Sequence, residues 1–522
     1  MFSKKNLFLI LSLFFVQLSF SQSLEYSKDF RLGSPNTEPD GRRDVVLLPN
    51  GEFVSLSKVM TSSKKHTYAL DKFDVAIQSK WSTEIVVDAS EEFQEVFFNG
   101  IDLILLSTVH LEQQQQTILN AYGYDVTSGV KKWNKELERY TVAAWKENAH
   151  KGKVKESFLD VIAEHSTTHE TIPFKYKHHL HFSNDGSKFI SYVFNYGESN
   201  LSANMNVFNQ QGEVLAKGKV TIDPDYTNYG IFVNNTGDAF IVNANNGGKL
   251  NVIKFNLETK DFSVLELPSN SLKKDDFHIQ FLSDQVLLIG NTEVSPTGQL
   301  MGVLFSQFDF NTNTVVKSVY KDLDANIKLA CAQKRAKNAT MKEAENWLDY
   351  DLTHFHQYEN GQIVFVLEKR LLYSEGYPHI ARGVFDESHQ VPFEGHVQAE
   401  SILMLSFNSE GQLGWSFYEP KNQVYPSSDG LNTISFVLDE MQKDQLRILY
   451  AYSEGLDASM HHFKFIALDK KTGQILKETL LPNQDKLVLV RDYTLWPAAD
   501  QLIIVGRKGL LGKTSFIVKY KL

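Results

Sequence analysis

The sequence predicts an all-β fold, a β-propeller of eight four-stranded antiparallel blades, with seven as the alternative count. Three observations predict it. Short runs of β-branched and aromatic residues recur from Val45 onward, joined in pairs by tight Asn/Asp-Gly turns, with few helical windows between them. A second type of hairpin follows each first one, so each unit holds four strands. The last unit stops one strand short at Leu522, and a matching strand is available in SLEYSKDFRL, residues 23–32. Pairing the two termini would close the ring and remove the open sheet edge.

Taken in chain order, the first element is not part of the fold. Lys4 and Lys5 precede the apolar run Leu7 to Leu18, and Ser19-Phe20-Ser21 supplies small residues before Gln22. This reads as an export signal over residues 1–21, cleaved near Ser21. The run is too short for a membrane span of about 20 residues, and no later stretch qualifies. The remaining 22–522 is expected to be one propeller domain in the periplasm or the extracellular medium. Length alone would suggest about three domains, but internal repeats take precedence.

The inner hairpins are VVLLPNGEFVSL (45–56), VFFNGIDLILL (96–106), HFSNDGSKFISYV (181–193), FVNNTGDAFIV (232–242) and YENGQIVFVL (358–367). Asn-Gly and Asp-Gly tolerate the positive φ that such turns need. The outer hairpins include YDVTSGVKKW (124–133), FNQQGEVLAKG (208–218), FDFNTNTVVKS (308–318), FNSEGQLGWSF (407–417) and LDKKTGQILKE (468–478).

Composition narrows the function classes. The chain has 53 Lys and Arg against 63 Asp and Glu, a formal charge of -10, and Lys4 and Lys5 leave with the signal. An acidic protein without a basic stripe is a poor nucleic-acid binder. Cys331 is the sole cysteine, so stability must come from a large core rather than disulfides.

YDVTSGVKKW and ALDKKTGQIL resemble the outer-hairpin pattern Ala-x-Asp-x-x-Thr-Gly-x-x-x-Trp of the pyrroloquinoline-quinone-type, or quinoprotein-like, eight-bladed propeller superfamily. That superfamily includes quinoprotein dehydrogenases and non-catalytic scaffolds. The resemblance covers Tyr124 to Trp133 and Ala467 to Lys477, where Lys477 replaces the tryptophan. It implies architecture. The family's enzymes carry an adjacent cysteine pair near the cofactor, which a chain with Cys331 alone does not supply, so the resemblance argues against pyrroloquinoline quinone. No other cofactor is indicated.

Three long insertions interrupt the repeat: 139–177 before blade 3, 321–353 before blade 6, and 373–397 between the second and third strands of blade 6. Antiparallel alternation puts all three at one end of the ring. Residues 326–348 are rich in Ala, Lys and Glu with apolar residues at helical spacing, which predicts a helical insertion. Long loops on a rigid scaffold are where binding commonly sits.

The histidines follow a register. His181 and His356 stand five residues before the turn glycines Gly186 and Gly361, His179 and His354 seven before, and His278 takes the seven-before position in blade 5. Residues two apart share a strand face and lie roughly 6.6 Å apart. These five, with His379 and Arg382 in the third insertion, are the candidate ligand-binding residues, in a funnel whose intervening Leu180, Ile279 and Phe355 turn into the core. The alternative is a half-buried histidine that ties one blade to the next. No metal site is assigned: zinc needs three or four ligands at about 2.0–2.3 Å, and blades 3 and 6 are three steps apart.

Other motifs fail. HSTTHE (165–170) lacks the Glu of a zincin helix, GRKGLLGKT (506–514) lacks the first glycine of a phosphate loop, and no Gly-x-Ser-x-Gly elbow occurs. His461 and His462 point to opposite strand faces. The sequence therefore favours an exported binding or protein-interaction scaffold, with a protein, glycan or small-molecule ligand at the loop face. A hydrolase or lyase on a polysaccharide or peptide fragment, using channel-facing histidines, is the alternative, and no catalytic residue is assigned.

Overall fold

In a computed structural model the chain is described over residues 24–30, 45–142, 177–196, 201–222, 226–245, 250–256, 261–267, 272–295, 300–323, 350–374, 395–426, 436–439, 442–452, 462–483, 487–508 and 515–522, with isolated residues between. The segment expected to be an export signal, nearly all of the helix expected over 326–348, Cys331, His379 and Arg382 lie outside these residues.

Eight four-stranded antiparallel sheets form, each with its strands in the order a-b-c-d. Blade 1 comprises Val45–Leu47, Phe53–Thr61, Lys65–Phe73 and Ser79–Asp88. Blade 2 comprises Glu91–Phe98, Asp102–Leu111, Gln116–Asp125 and Lys131–Thr141. Blade 3 comprises His179–Phe182, Lys188–Tyr196, Leu201–Asn209 and Val214–Ile222. Blade 4 comprises Tyr226–Val233, Ala239–Asn245, Leu250–Phe255 and Phe262–Leu267. Blade 5 comprises Leu272–Ser283, Val286–Val294, Leu300–Asp309 and Thr314–Asp322. Blade 6 comprises Tyr350–Gln357, Ile363–Ser374, Gly395–Phe407 and Leu413–Pro426. Blade 7 comprises Val437–Asp439, Gln445–Tyr452, His462–Asp469 and Ile475–Pro482. Blade 8 takes Leu487–Ala498, Gln501–Lys508 and Ser515–Lys521 from the C-terminus, and its outer strand is Leu24–Phe30. That N-terminal strand runs antiparallel to Ser515–Lys521, with Ser27 opposite Val518 and Phe30 opposite Ser515. The count is eight, and the ring closes through the termini.

The core is a series of seams between consecutive blades. Phe93 and Leu105 of blade 2 pack with Val54 and Leu70 of blade 1, and Phe189 and Phe208 of blade 3 with Phe97 and Leu119 of blade 2. The last seam joins Val45, Phe53 and Phe73 of blade 1 to Leu495, Ile503 and Ile517 of blade 8. Each inner strand is therefore buried on both faces, which explains the near-continuous apolar runs such as Leu103 to Leu106. Strand d is the ring's outer edge and alternates, as in Thr314–Asp322.

The turns show why Asn and Asp recur. Asn209 Oδ1 accepts the N–H groups of Gln211 and Glu213 at 3.0 and 2.9 Å, and Asp469 Oδ1 accepts that of Thr472 at 2.7 Å. Blade 1 puts Ile77 at the left-handed position of its c-d turn, with φ 59°. A β-branched residue is strained there, and its complete burial in the blade 1–8 seam offsets that strain.

The c-d turns also dock blades together. Trp81 of blade 1 donates its Nε1–H to the Val126 carbonyl of blade 2 at 3.2 Å, and Trp415 of blade 6 donates to Lys470 of blade 7 at 2.9 Å. Each indole covers a turn glycine, Gly129 or Gly473. Trp133, the tryptophan of YDVTSGVKKW, lies over Gly123 of its own blade instead, so the quoted pattern does not fix where its ring goes.

Gly473 has φ +68° and a Cβ there would sit 2.6 Å from the Trp415 ring, whereas Gly186, at φ +65°, has open space. Gly473→Ala should cost about 3 kcal/mol from left-handed strain plus the clash, and Gly186→Ala about 1 kcal/mol from strain alone. Urea denaturation of the two variants checks the difference.

Candidate functional site

The strand-a histidines are held between blades, and their faces differ from the expectation. His181 turns to blade 4, where its ring meets Phe232 edge-on at 4.9 Å and its Nδ1 accepts the Val233 N–H at 3.3 Å. His278 turns to blade 6 and donates Nε2–H to the Leu352 carbonyl at 2.8 Å. His179 stacks on Tyr192 at 5.1 Å and meets Phe194 edge-on at 5.3 Å, both members of the blade 3–4 seam. His354 and His356 stack on one another at 6.2 Å, and His356 lies 4.7 Å from Tyr358, which packs in the blade 6–7 seam.

Leu180 and Phe182 face blade 2, Ile279 and Phe281 face blade 4, and Phe355 faces blade 5. The alternation along strand a thus separates the preceding blade from the following one, rather than core from channel. The channel meets the strand's edge, because both of its faces are taken by neighbouring sheets. The channel-facing disposition expected from the sequence is corrected on this point. Among the described residues no three His, Cys, Asp or Glu side chains form a group that could hold a metal ion.

A different cluster stands where blade 2 passes to blade 3. Glu138, near the end of strand d, and His178, just before strand a, flank the 139–177 insertion, and His178 Nδ1 lies 2.8 Å from Glu138 Oε1. Both side chains are almost fully buried, at 2% and 0% exposure. The same carboxylate accepts the Ser191 hydroxyl, the Asn206 Nδ2 amide at 2.5 Å and the Tyr140 hydroxyl at 3.1 Å. Tyr140 also stacks on the imidazole at 6.0 Å. Burial, then the Glu138 charge, push the Tyr140 phenol well above its ordinary pKa, so it remains a donor. Ser191 Oγ lies 3.1 Å from Nδ1, the same nitrogen that meets Glu138. A hydrolytic triad needs the serine and the carboxylate on opposite nitrogens, so the group is a clamp and not a nucleophile with its base.

Blade 6 has a corresponding root. Its strands b, c and d run to 12, 13 and 14 residues, and the b-c pairing continues through Tyr373 opposite His396 to Ser374 opposite Gly395. At the base, Lys421 and Glu368 form an ion pair with no exposed side-chain surface. Lys421 also donates to Gln423 Oε1 at 2.9 Å, and Gln423 donates to the Ala451 carbonyl of blade 7 at 2.8 Å. Glu419 accepts Tyr450 at 2.5 Å and Lys464 at 2.6 Å across the same seam.

Sequence reasoning passed over His178 although it stands in KHHLHF, since it lies outside the H-x-H register. Glu138 carried no local signal. Their relation appears once the insertion between them is treated as a loop whose two ends must meet.

No protein-family model matches this chain, and no curated protein matches it. Among solved structures, a Dos1 propeller is 10% identical with a TM-score of 0.41, covering 96% of each chain. Polysaccharide lyase Uly1 is 8% identical with a TM-score of 0.41, over 95% of this chain and 93% of that one. Porphyromonas gingivalis dipeptidyl peptidase 4 is 9% identical with a TM-score of 0.37, over 94% of this chain and 66% of that one. Likenesses at this level carry nothing about activity. No described helix is long and apolar enough to cross a membrane.

Removing the shared acceptor should expose the clamp's importance. Glu138→Ala leaves His178, Ser191 and Asn206 without it inside a buried seam and should cost about 3 kcal/mol or more, with Glu138→Gln costing less. Chemical denaturation measures both.

His66, buried in the blade 1–2 seam, gives a pH dependence. Burial first, and then the Lys58 charge, hold its pKa below the ordinary 6.5, against a smaller opposing effect of Glu92. The unfolded chain takes up this proton near pH 6.5 and the folded chain only at lower pH. The contribution of neutral His66 is therefore complete above about 6.5 and is lost as pH falls from there to the depressed folded value. Stability against pH should fall there with a slope of at most about 1.4 kcal/mol per unit from this group, and His66→Phe should flatten it.

Proposed function

We propose that this chain is an exported binding and interaction scaffold whose insertion-bearing end is its contact face for a protein, glycan or small-molecule ligand. The observation that carries the reading is the construction of the roots at that end. The 139–177 insertion leaves and re-enters the ring through the Glu138–His178 clamp, and blade 6 extends toward the same end from the buried Glu368–Lys421 pair. Anchoring of this kind fixes the ends from which the insertions depart. The strand-a histidines support the reading in a second way. His181 and His278 spend ring nitrogens on neighbouring backbone, as scaffold residues do.

The test uses the mature chain, produced in an exporting host so that its mass also reports cleavage before Gln22. Residues 143–176 and 375–394 are replaced by short Gly-Ser linkers, and both proteins are applied to glycan and peptide arrays. The expected result is a melting temperature within a few degrees of wild type and at least a tenfold loss of array signal. Equal signals from the trimmed and full chains, or none from the full chain, would overturn the proposal.

A further inference from the structure

The opposite end of the ring carries a site of another kind. Strands a of blades 8, 1, 2 and 3 end there in their a-b turns and border a half-open cavity of about 570 Å³ at the mouth of the channel. That volume lies within the range of small-molecule sites, roughly 300–1,000 Å³. The lining mixes apolar and aromatic side chains, Phe98, Phe182, Pro49 and Trp496 among them, with nearly as much polar surface, to which Gln210 and Asp185 belong. Two of these rings are fixed. Phe182 meets Phe97 edge-on at 5.1 Å. Trp496 carries the Arg447 guanidinium 4.5 Å from its ring centre, and Arg447 is itself bound to Asp439 at 2.7 Å and to the Ala499 carbonyl at 2.5 Å.

Among the described residues of this lining Asp185 is the one charged side chain, and it is exposed. It belongs to the Asn-Asp-Gly turn, where its Oδ1 accepts the Ser183 hydroxyl at 2.7 Å and the Ser187 N–H at 2.9 Å. Burial alone would raise its pKa. The Ser187 and Ser183 hydrogen bonds, aided by the Lys188 charge, outweigh that and hold it below the ordinary carboxylate value, so it is ionised at neutral pH. The Lys188 ammonium is directed to the Asn235 carbonyl and to Ser187 Oγ. It does not belong to the lining.

We infer that this channel mouth binds a small organic cation, an ammonium group on an apolar body, with Asp185 as counter-ion and the aromatic wall as the seat of the body. Charge complementarity makes the choice. An anion would meet Asp185 with no cation among the described lining residues to compensate. A neutral apolar molecule would strip water from the carboxylate and give nothing in return. An ammonium is attracted both by the carboxylate and by the negative faces of aromatic rings. The site is independent of the insertion-bearing face, and each can fail without the other.

The probes are 2-phenylethylamine, its carboxylate counterpart phenylacetate, and 2-phenylethanol, titrated into the mature protein with calorimetry and ligand-observed NMR. The amine should bind at least tenfold more tightly than either of the others. Asp185→Asn should lower its affinity at least tenfold with little change in melting temperature, because the amide oxygen can still accept the Ser187 N–H. Phe98→Ala should weaken binding as well, and trimming the insertions should leave it unchanged. No binding of the amine, equal binding of phenylacetate, or unaltered affinity in Asp185→Asn would overturn the inference.

Discussion

Every blade of this protein is an apolar sheet with two faces to bury, and that requirement organises the rest. A seam such as Phe189 and Phe208 against Phe97 and Leu119 satisfies one face of each partner and leaves the other to the next blade. A row of blades would end with exposed apolar faces, whereas a ring has none. The closing seam of Val45, Phe53, Leu495 and Ile517 is therefore as necessary as any other. The N-terminal strand beside Ser515–Lys521 completes the blade on which this closure depends. With a single cysteine in the sequence, such burial carries the stability that disulfides supply in other folds.

Sandwiching also decides what a polar residue on an inner strand can do. Its side chain enters one seam or the other, where water is scarce and each donor or acceptor needs a partner. His181 and His278 find theirs in the backbone of the following blade. Glu138 gathers four partners from blade 2, blade 3 and the segment between them, and Glu419 joins blade 6 to blade 7 through Tyr450 and Lys464. Networks of this sort specify a unique docking of sheets when all members are satisfied.

The two ends of the ring consequently differ. At one end the chain turns in a few residues, with Asn and Asp side chains bonding the turn backbone, and these turns frame a channel mouth with one carboxylate among the described residues of its lining. At the other end two of the long insertions depart from strands tied by the buried Glu138–His178 and Glu368–Lys421 pairs. A rigid ring with dissimilar ends can present two independent surfaces without either disturbing the core.

Much of the fold was legible in the residues. Short runs of β-branched and aromatic residues gave the strands, Asn/Asp-Gly pairs gave the hairpins, and the missing last strand gave the closure, since each of these is a local preference of backbone or side chain. The histidine register was equally legible: His179 and His181 do occupy strand a of blade 3, as His354 and His356 do in blade 6. Alternation fixes that Leu180 and His181 point apart, but it does not mark either direction as the channel, because in a propeller both directions lead into protein. Which neighbour each residue meets depends on contacts with distant parts of the chain: Val233 for His181, Leu352 for His278, Glu138 for His178. Those pairings, and the gathering of Asp185 with Phe98 and Trp496 around one cavity, arise only when the sheets close into a ring, because no local pattern records which sheet will be packed against which.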